Sequence, residues 1–251
     1  MQTSYVSGPS DTSTGDATAD DSGAAFDTEI ASWLWVEAVT VRAPRITSTV
    51  AFLGDSITDG HSSTPSTNRR WPDQFADRIS GTRYGPRYAV MNQGISANKV
   101  LVDGSGESAL KRFDRDVLDQ PGVSTVVVME GINDIRWDVA DEPSDLIDAH
   151  RELIRRAHER GICVVASPLT PFEGSSAWTP AREQVRAGFN DWVRTGGEYD
   201  AVVDFDAVVR DPARPTWFRP GYGAADNLHP VDAGYAAMAA AVDPQRPACD
   251  R

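Results

Sequence analysis

The sequence predicts a three-layer α/β fold in which helices cover both faces of a five-stranded parallel sheet. Three observations lead there. Five short segments are rich in apolar and β-branched residues without polar alternation, as strands covered on both faces must be. Stretches of helical periodicity separate them, and regular strand–helix alternation implies parallel strands. The first three strands each run into a short polar motif, the place where open parallel sheets hold their ligands.

Residues 1–26 are rich in Ser, Thr, Asp and Gly without periodicity, which predicts a stretch without order or draped on the surface. Strand-like material follows over 27–46, with Trp33, Trp35, Val39 and Val41 at alternating positions, and reads as an edge strand or the remnant of an accessory β element. The main domain is expected over 47–245, with a tail at 246–251. Its strands are predicted at 50–54, 88–92, 124–130, 162–167 and 201–205. The clearest helix covers 144–160, where Leu146, Ile147, His150, Leu153, Ile154 and Ala157 make one stripe between Pro143 and Gly161. Further helices are predicted at 71–79, 107–118, 180–195 and 231–242.

A chain of 251 residues can bury one sizeable core. Its formal charge of −13 argues against a nucleic-acid partner, which would require a basic stripe. No apolar run reaches the roughly 18 residues of a membrane span, and no basic segment leads into an apolar one in the manner of a secretory leader, so the expectation is either a cytoplasmic protein or one whose targeting segment lies upstream. Cys163 lies in an apolar run and reads as a buried inert thiol, with a disulfide to Cys249 the alternative. No cysteine spacing suggests zinc, so neither a metal nor a cofactor is expected. Oligomeric state is not legible.

Strand one leads into Gly54-Asp55-Ser56-Ile57, strand two into Asn92-Gln93-Gly94-Ile95, and strand three into Gly131-Ile132-Asn133-Asp134. In the flavodoxin-like order 2-1-3-4-5, strand one lies between strands two and three, about 4.8 Å from each. Ser56 then sits between Gly94 and Asn133. That arrangement suits acyl transfer, a hydroxyl nucleophile beside donors aimed where an oxyanion forms: the N–H of Gly94, the amide of Asn133 and the N–H of Ser56 itself. A serine needs a base, and the chain has four histidines. His61 lies in a polar loop, His150 on an apolar stripe and His158 near a helix end. Only His229 has a carboxylate three residues before it, Asp226, able to orient the imidazole and stabilise its charged form. The long connection over 211–228, read as structureless, can carry His229 back across the sheet.

Each motif alone has an ordinary reading. Asp55 or Ser56 can cap a helix, Gly94 can serve a turn, and Asp226 can cap the last helix. Their joint order along the chain favours chemistry. Asp55 and Asp134 are expected to support their loops. Trp71, Trp137, Trp178 and Trp217 are expected to pack, with Trp137 and Trp217 placed to wall a substrate pocket. A Gly104-x-Gly106-x-x-Ala109 pattern with Glu130 beyond it fits dinucleotide binding. Without a convincing strand before it, a turn capping the next helix is the preferred reading. A non-catalytic carbohydrate- or polymer-binding module would leave the placement of Ser, Asn and His accidental. No Gly-x-Ser-x-Gly elbow of the α/β-hydrolase kind occurs.

These motifs resemble those of the SGNH/GDSL hydrolase family, with Ile57 where the family name has Leu, over roughly residues 47–245. The resemblance implies a serine esterase with Ser56 as nucleophile, Gly94 and Asn133 as oxyanion-hole donors, His229 as base and Asp226 as its orienting acid. It implies lipid, aryl, carbohydrate acetyl or thioester substrates, small-molecule or carbohydrate esters among them, without choosing. Asn68-Arg69-Arg70-Trp71-Pro72-Asp73, the segment from Ser108 to Asp114 and that from Glu130 to Ile135 look like a bacterial and fungal subgroup, often secreted. Members of that subgroup often carry an N-terminal β-sandwich. Residues 1–46 resemble only its tail.

Overall fold

The structure, a computed structural model, describes residues 3–7, 21–31, 39–44 and 47–243. Two short strands, β1 (Ser4–Val6) and β2 (Thr28–Ile30), pair antiparallel. A strand therefore forms inside the stretch read as lacking order. The Thr3 N–H also reaches the Ser66 hydroxyl of the main domain at 3.2 Å. The strand expected over 27–46 is confined to β2 among the described residues. Val39 and Val41 are exposed at 84% and 76%, so they have no buried face to alternate against. Trp33 and Trp35 lie outside the described residues.

The main sheet holds β3 (Ser48–Gly54), β4 (Tyr88–Gly94), β5 (Val123–Met129), β6 (Cys163–Ala166) and β7 (Ala201–Val202) in the spatial order β4-β3-β5-β6-β7, all parallel. Counted along the chain this is 2-1-3-4-5, as expected. Alternation along β3 sends Val50 and Phe52 into one layer and Ala51 and Leu53 into the other. The first layer includes Trp71, Phe75 and Phe205, with Phe52 edge-on to Trp71 at 4.5 Å between ring centroids. The second includes Phe113, Val117 and Leu153. Each such side chain, once buried, contributes about 1.5–3 kcal/mol, which is why apolar runs located the strands.

The helices are α1 (Ser56–Asp59), α2 (Trp71–Ile79), α3 (Ala109–Phe113), α4 (Ile132–Arg136), α5 (Pro143–Glu159), α6 (Pro180–Thr195), α7 (Phe205–Val209) and α8 (Asp232–Ala241). Proline opens α5 and α6, where its missing N–H costs nothing, and a Glu142/Asp145 capping box and a Thr179 cap satisfy the first turns. The helix expected over 107–118 winds as α3 and then as a π-helix over Asp114–Leu118. Ahead of it Gly104 and Gly106 form a tight bridged turn and Ser108 caps α3, so the glycine pattern serves a turn. No strand runs into it among the described residues.

Three expectations are corrected. The fifth strand stops at Val202, because Asp204 caps α7 through the Ala207 N–H at 2.8 Å. The connection read as structureless contains an antiparallel pair, β8 (Arg210–Asp211) and β9 (Arg214–Phe218). Cys163 is buried but disulfide-bonded instead of a free thiol, and Cys249 lies outside the described residues. Among the described residues no helix is long and apolar enough to cross a membrane.

Candidate active site

Register builds the site before any side chain is considered. Gly54 pairs with Gly94 on one side and Met129 on the other, so three strands end on one rim. At that rim Asp55 caps α1, accepting the Ile57 N–H at 2.8 Å, and Gly60 closes the helix in the left-handed conformation. Ser56 is the first helical residue. Its own N–H donates to no described atom. The capping reading of Asp55 and the nucleophile reading of Ser56 are thus compatible.

Gly94 is where the structure departs from expectation. Its N–H is engaged by the Asn92 carboxamide oxygen at 2.9 Å, and the Asn92 amide in turn holds the Thr58 carbonyl. The glycine is needed for closeness, since a Cβ there would lie 2.2 Å from the Asp59 nitrogen. Gly94 therefore seats α1 against β4 and has no N–H to offer a ligand. Three residues on, Ala97 adopts φ +61°, uncommon for a residue with a Cβ. Its N–H donates to no described atom. Its neighbours are pinned: Ile95 N–H donates to the Gly54 carbonyl at 3.0 Å, and the Asn98 carbonyl accepts from Asn133. Nothing in the residue type alanine signals such a conformation.

Asn133 sits in α4, buried, with its amide orientation set from both ends. Its Oδ1 accepts from Arg136 Nη1 at 2.9 Å, and its Nδ2 donates to the Asn98 carbonyl at 2.9 Å. A second Nδ2 hydrogen is left over. Asp134 supports the adjoining loop as expected, accepting the Val100 and Leu101 N–H groups at 2.9 Å each.

The tertiary fold brings the distant partner home. His229 Nε2 lies 2.8 Å from Ser56 Oγ, and its Nδ1 lies 2.5 Å from Asp226 Oδ2. The other Asp226 oxygen accepts the N–H groups of Leu228 at 3.0 Å and His229 at 3.1 Å. Burial holds the His229 imidazole below its usual 6.5, against the opposing pull of Asp226. Burial alone would raise Asp226, but the His229 ring and the two backbone donors outweigh it and bring the carboxyl below 3.8. At neutral pH the pair is a neutral imidazole beside a carboxylate.

The other sequence candidates separate. His150 is a satisfied core residue, between the Glu130 carbonyl at 3.2 Å and the Tyr199 hydroxyl at 2.7 Å. His158 meets Asp200 near the surface. His61, read as a polar-loop residue, lies beside His229 with ring centroids 4.2 Å apart and the rings tilted by 48°. Trp71 is in the core. Trp137 is 47% exposed, with the Lys99 ammonium 4.7 Å above its ring. Trp217 packs on Gly174, which also accepts from the Asn227 side chain and so braces the segment bearing His229.

Beneath Ser56 lies a group that sequence reasoning missed. Arg112 is fully buried and donates to the carbonyls of Gly54 and Gln93, to Asn98 Oδ1 and to Asp116. It ties the ends of β3 and β4 to the Ala97 loop. Glu130 is equally buried at the end of β5. Burial drives its carboxyl well up, and drives that of Asp55 to about 7.

Fold and family together make this an ester hydrolase on a doubly wound parallel sheet. The chain belongs to the GDSL-like Lipase/Acylhydrolase family, whose model matches residues 52–237. No curated protein sequence matches it. Similar folds include a carbohydrate acetylesterase family member from Sinorhizobium meliloti, at 15% identity and TM-score 0.63 over 79% of this chain and 97% of that one. The M. smegmatis aryl esterase is similar at 14% identity and TM-score 0.62 over 78% and 96%. A GDSL-like lipase from Bacteroides thetaiotaomicron is similar at 19% identity and TM-score 0.56 over 77% and 84%. At these identities the likeness is one of fold.

Proposed function

We propose that the chain hydrolyses carboxylic esters through an acyl-enzyme on Ser56. The observation that carries this is the unbroken relay from Ser56 Oγ through both nitrogens of His229 to Asp226. His229 Nε2 takes the hydroxyl proton as Ser56 Oγ bonds to the ester carbonyl carbon. Asp226 holds the Nδ1–H and stabilises the imidazolium. The tetrahedral intermediate collapses, the C–O bond to the alcohol breaks, and the alcohol leaves with the proton from Nε2. Water then repeats the cycle on the acyl-enzyme and releases the acid.

The oxyanion is held by the Ser56 N–H and the free Nδ2 hydrogen of Asn133. The Ala97 N–H, and not that of Gly94, is the further donor, because the Gly94 N–H is held by Asn92. The substrates we propose are small-molecule or carbohydrate esters, in keeping with the acetylesterase and aryl esterase among the similar folds. The disulfide at Cys163 supports an oxidising, extracytoplasmic setting.

An organophosphonate should label Ser56 stoichiometrically, and Ser56→Ala should abolish both labelling and turnover of an aryl acetate. Retention of most of the activity by Ser56→Ala would overturn the mechanism. A panel running from aryl acetates to long acyl esters and acetylated sugars would then identify the substrate class.

A further inference from the structure

We propose that His61, His229 and Asp226 form a binding site for a divalent transition-metal ion such as Zn²⁺, and that the ion switches the enzyme off. Each residue presents one ligand atom, and the three atoms lie within 4.8 Å of one another. Two imidazoles and a carboxylate are a donor set suited to zinc and its neighbours, with a fourth position left for water. Ligand atoms around tetrahedral zinc lie roughly 3.3 Å apart, given Zn–N distances of about 2.0–2.1 Å, so a small side-chain closure completes the site.

His61 is the residue that makes this more than a catalytic pair. Its backbone is fixed at both ends: the N–H donates to the Ser56 carbonyl at 2.8 Å, and the carbonyl accepts from the buried Tyr235 hydroxyl at 2.7 Å. Its side chain makes no hydrogen bond to any described residue, yet the ring is held 4.2 Å from that of His229. Asp226 keeps 43% of its side chain exposed, which gives an ion a way in from solvent.

The consequence follows from the proposed mechanism. His229 uses Nε2 for Ser56 and Nδ1 for Asp226. An ion that takes Nε2 displaces the serine hydroxyl, and one that takes Nδ1 shifts the ring proton to Nε2, which then cannot accept the proton of Ser56, and separates Asp226 from the ring. Either way the base is lost. Mg²⁺ and Ca²⁺, which prefer oxygen ligands, should have no effect.

The test separates binding from catalysis. Zn²⁺ titrated calorimetrically into Ser56→Ala protein should bind one ion per chain, and adding His61→Gln should weaken binding by about tenfold or more. In active protein His61→Gln should keep the basal rate within about twofold while needing roughly ten times more Zn²⁺ for half-inhibition. Equal zinc affinity with and without His61, or no binding to Ser56→Ala, would overturn the site. Binding as expected in a protein that turns over no ester would uphold the site and overturn the esterase mechanism instead.

Discussion

Asp206 and Glu130 are both buried carboxylates, yet the molecule treats them in opposite ways. Asp206, on α7, meets three guanidinium groups: Arg186 at 2.9 Å, Arg194 at 2.5 Å and Arg210 at 3.0 Å. Glu130, at the end of β5, has no hydrogen-bond partner on either oxygen; the Gly131 N–H approaches without closing a bond. Its nearest guanidinium, Arg112, stands 3.8 Å away with its donors turned to other acceptors. A buried carboxyl without a compensating cation keeps its proton, and this is the direction burial gives to Glu130 and Asp55. The compensated cluster fastens α6 to α7 beyond the ends of β6 and β7. The uncompensated one lies under Ser56, where Arg112 is given to backbone carbonyls, to Asn98 and to Asp116 and leaves Glu130 without a hydrogen bond.

If that contrast is one between frame and working site, substitutions should divide into losses of rate and losses of stability. The largest effect is expected at the rim. His229→Ala should lower kcat on the order of 10⁶-fold with an unchanged melting temperature, and steady-state assays beside thermal melts would check both. Asp206→Ala should do the reverse, because it removes the carboxylate shared by Arg186, Arg194 and Arg210 and leaves Arg186 to Glu183 and Arg194 to Asp204. A loss of about 1.5–3 kcal/mol is expected in urea unfolding, with kcat kept at a temperature where the protein stays folded. Asn133→Ala should lower kcat about 10²–10³-fold, as for one oxyanion donor, with little change in KM. A rate-neutral Asn133→Ala would remove Asn133 from the site.

The smallest effects are pH dependences, and they sharpen the contrast further. Asp55 titrates near 7 when folded and near 3.8 otherwise, so between those values the native state binds the extra proton. Stability should fall as pH rises through that window and level off above about 7. Asp55→Asn should flatten this part of the profile in urea titrations. His229 is shifted down by burial, so the acid limb of kcat/KM should lie below pH 6.5, where the free enzyme's base becomes protonated. An acid limb above 6.5 would mean that another group governs the rate.

Much of this was open to reading from residues alone. Strand segments and their order follow from short apolar runs, because burial on both faces is a local compositional demand. Ser56, Asn133 and the Asp226/His229 pair were legible because their chemistry depends on residue type and on position after a strand or before a helix. Other features had no local signature. Whether the N–H of Gly94 is free depends on an Asn92 rotamer and on the approach of α1, and the left-handed turn at Ala97 is imposed by anchors on Gly54 and Asn133. Arg112 looks like any helix arginine until two strand ends converge on it, and His61 like any loop histidine until His229 arrives beside it. The sequence by itself determined the layers, the strand order and the chemical groups available. Only the tertiary structure decided which N–H groups stay unpaired and which buried charges go uncompensated, because both depend on contacts between segments far apart in the chain.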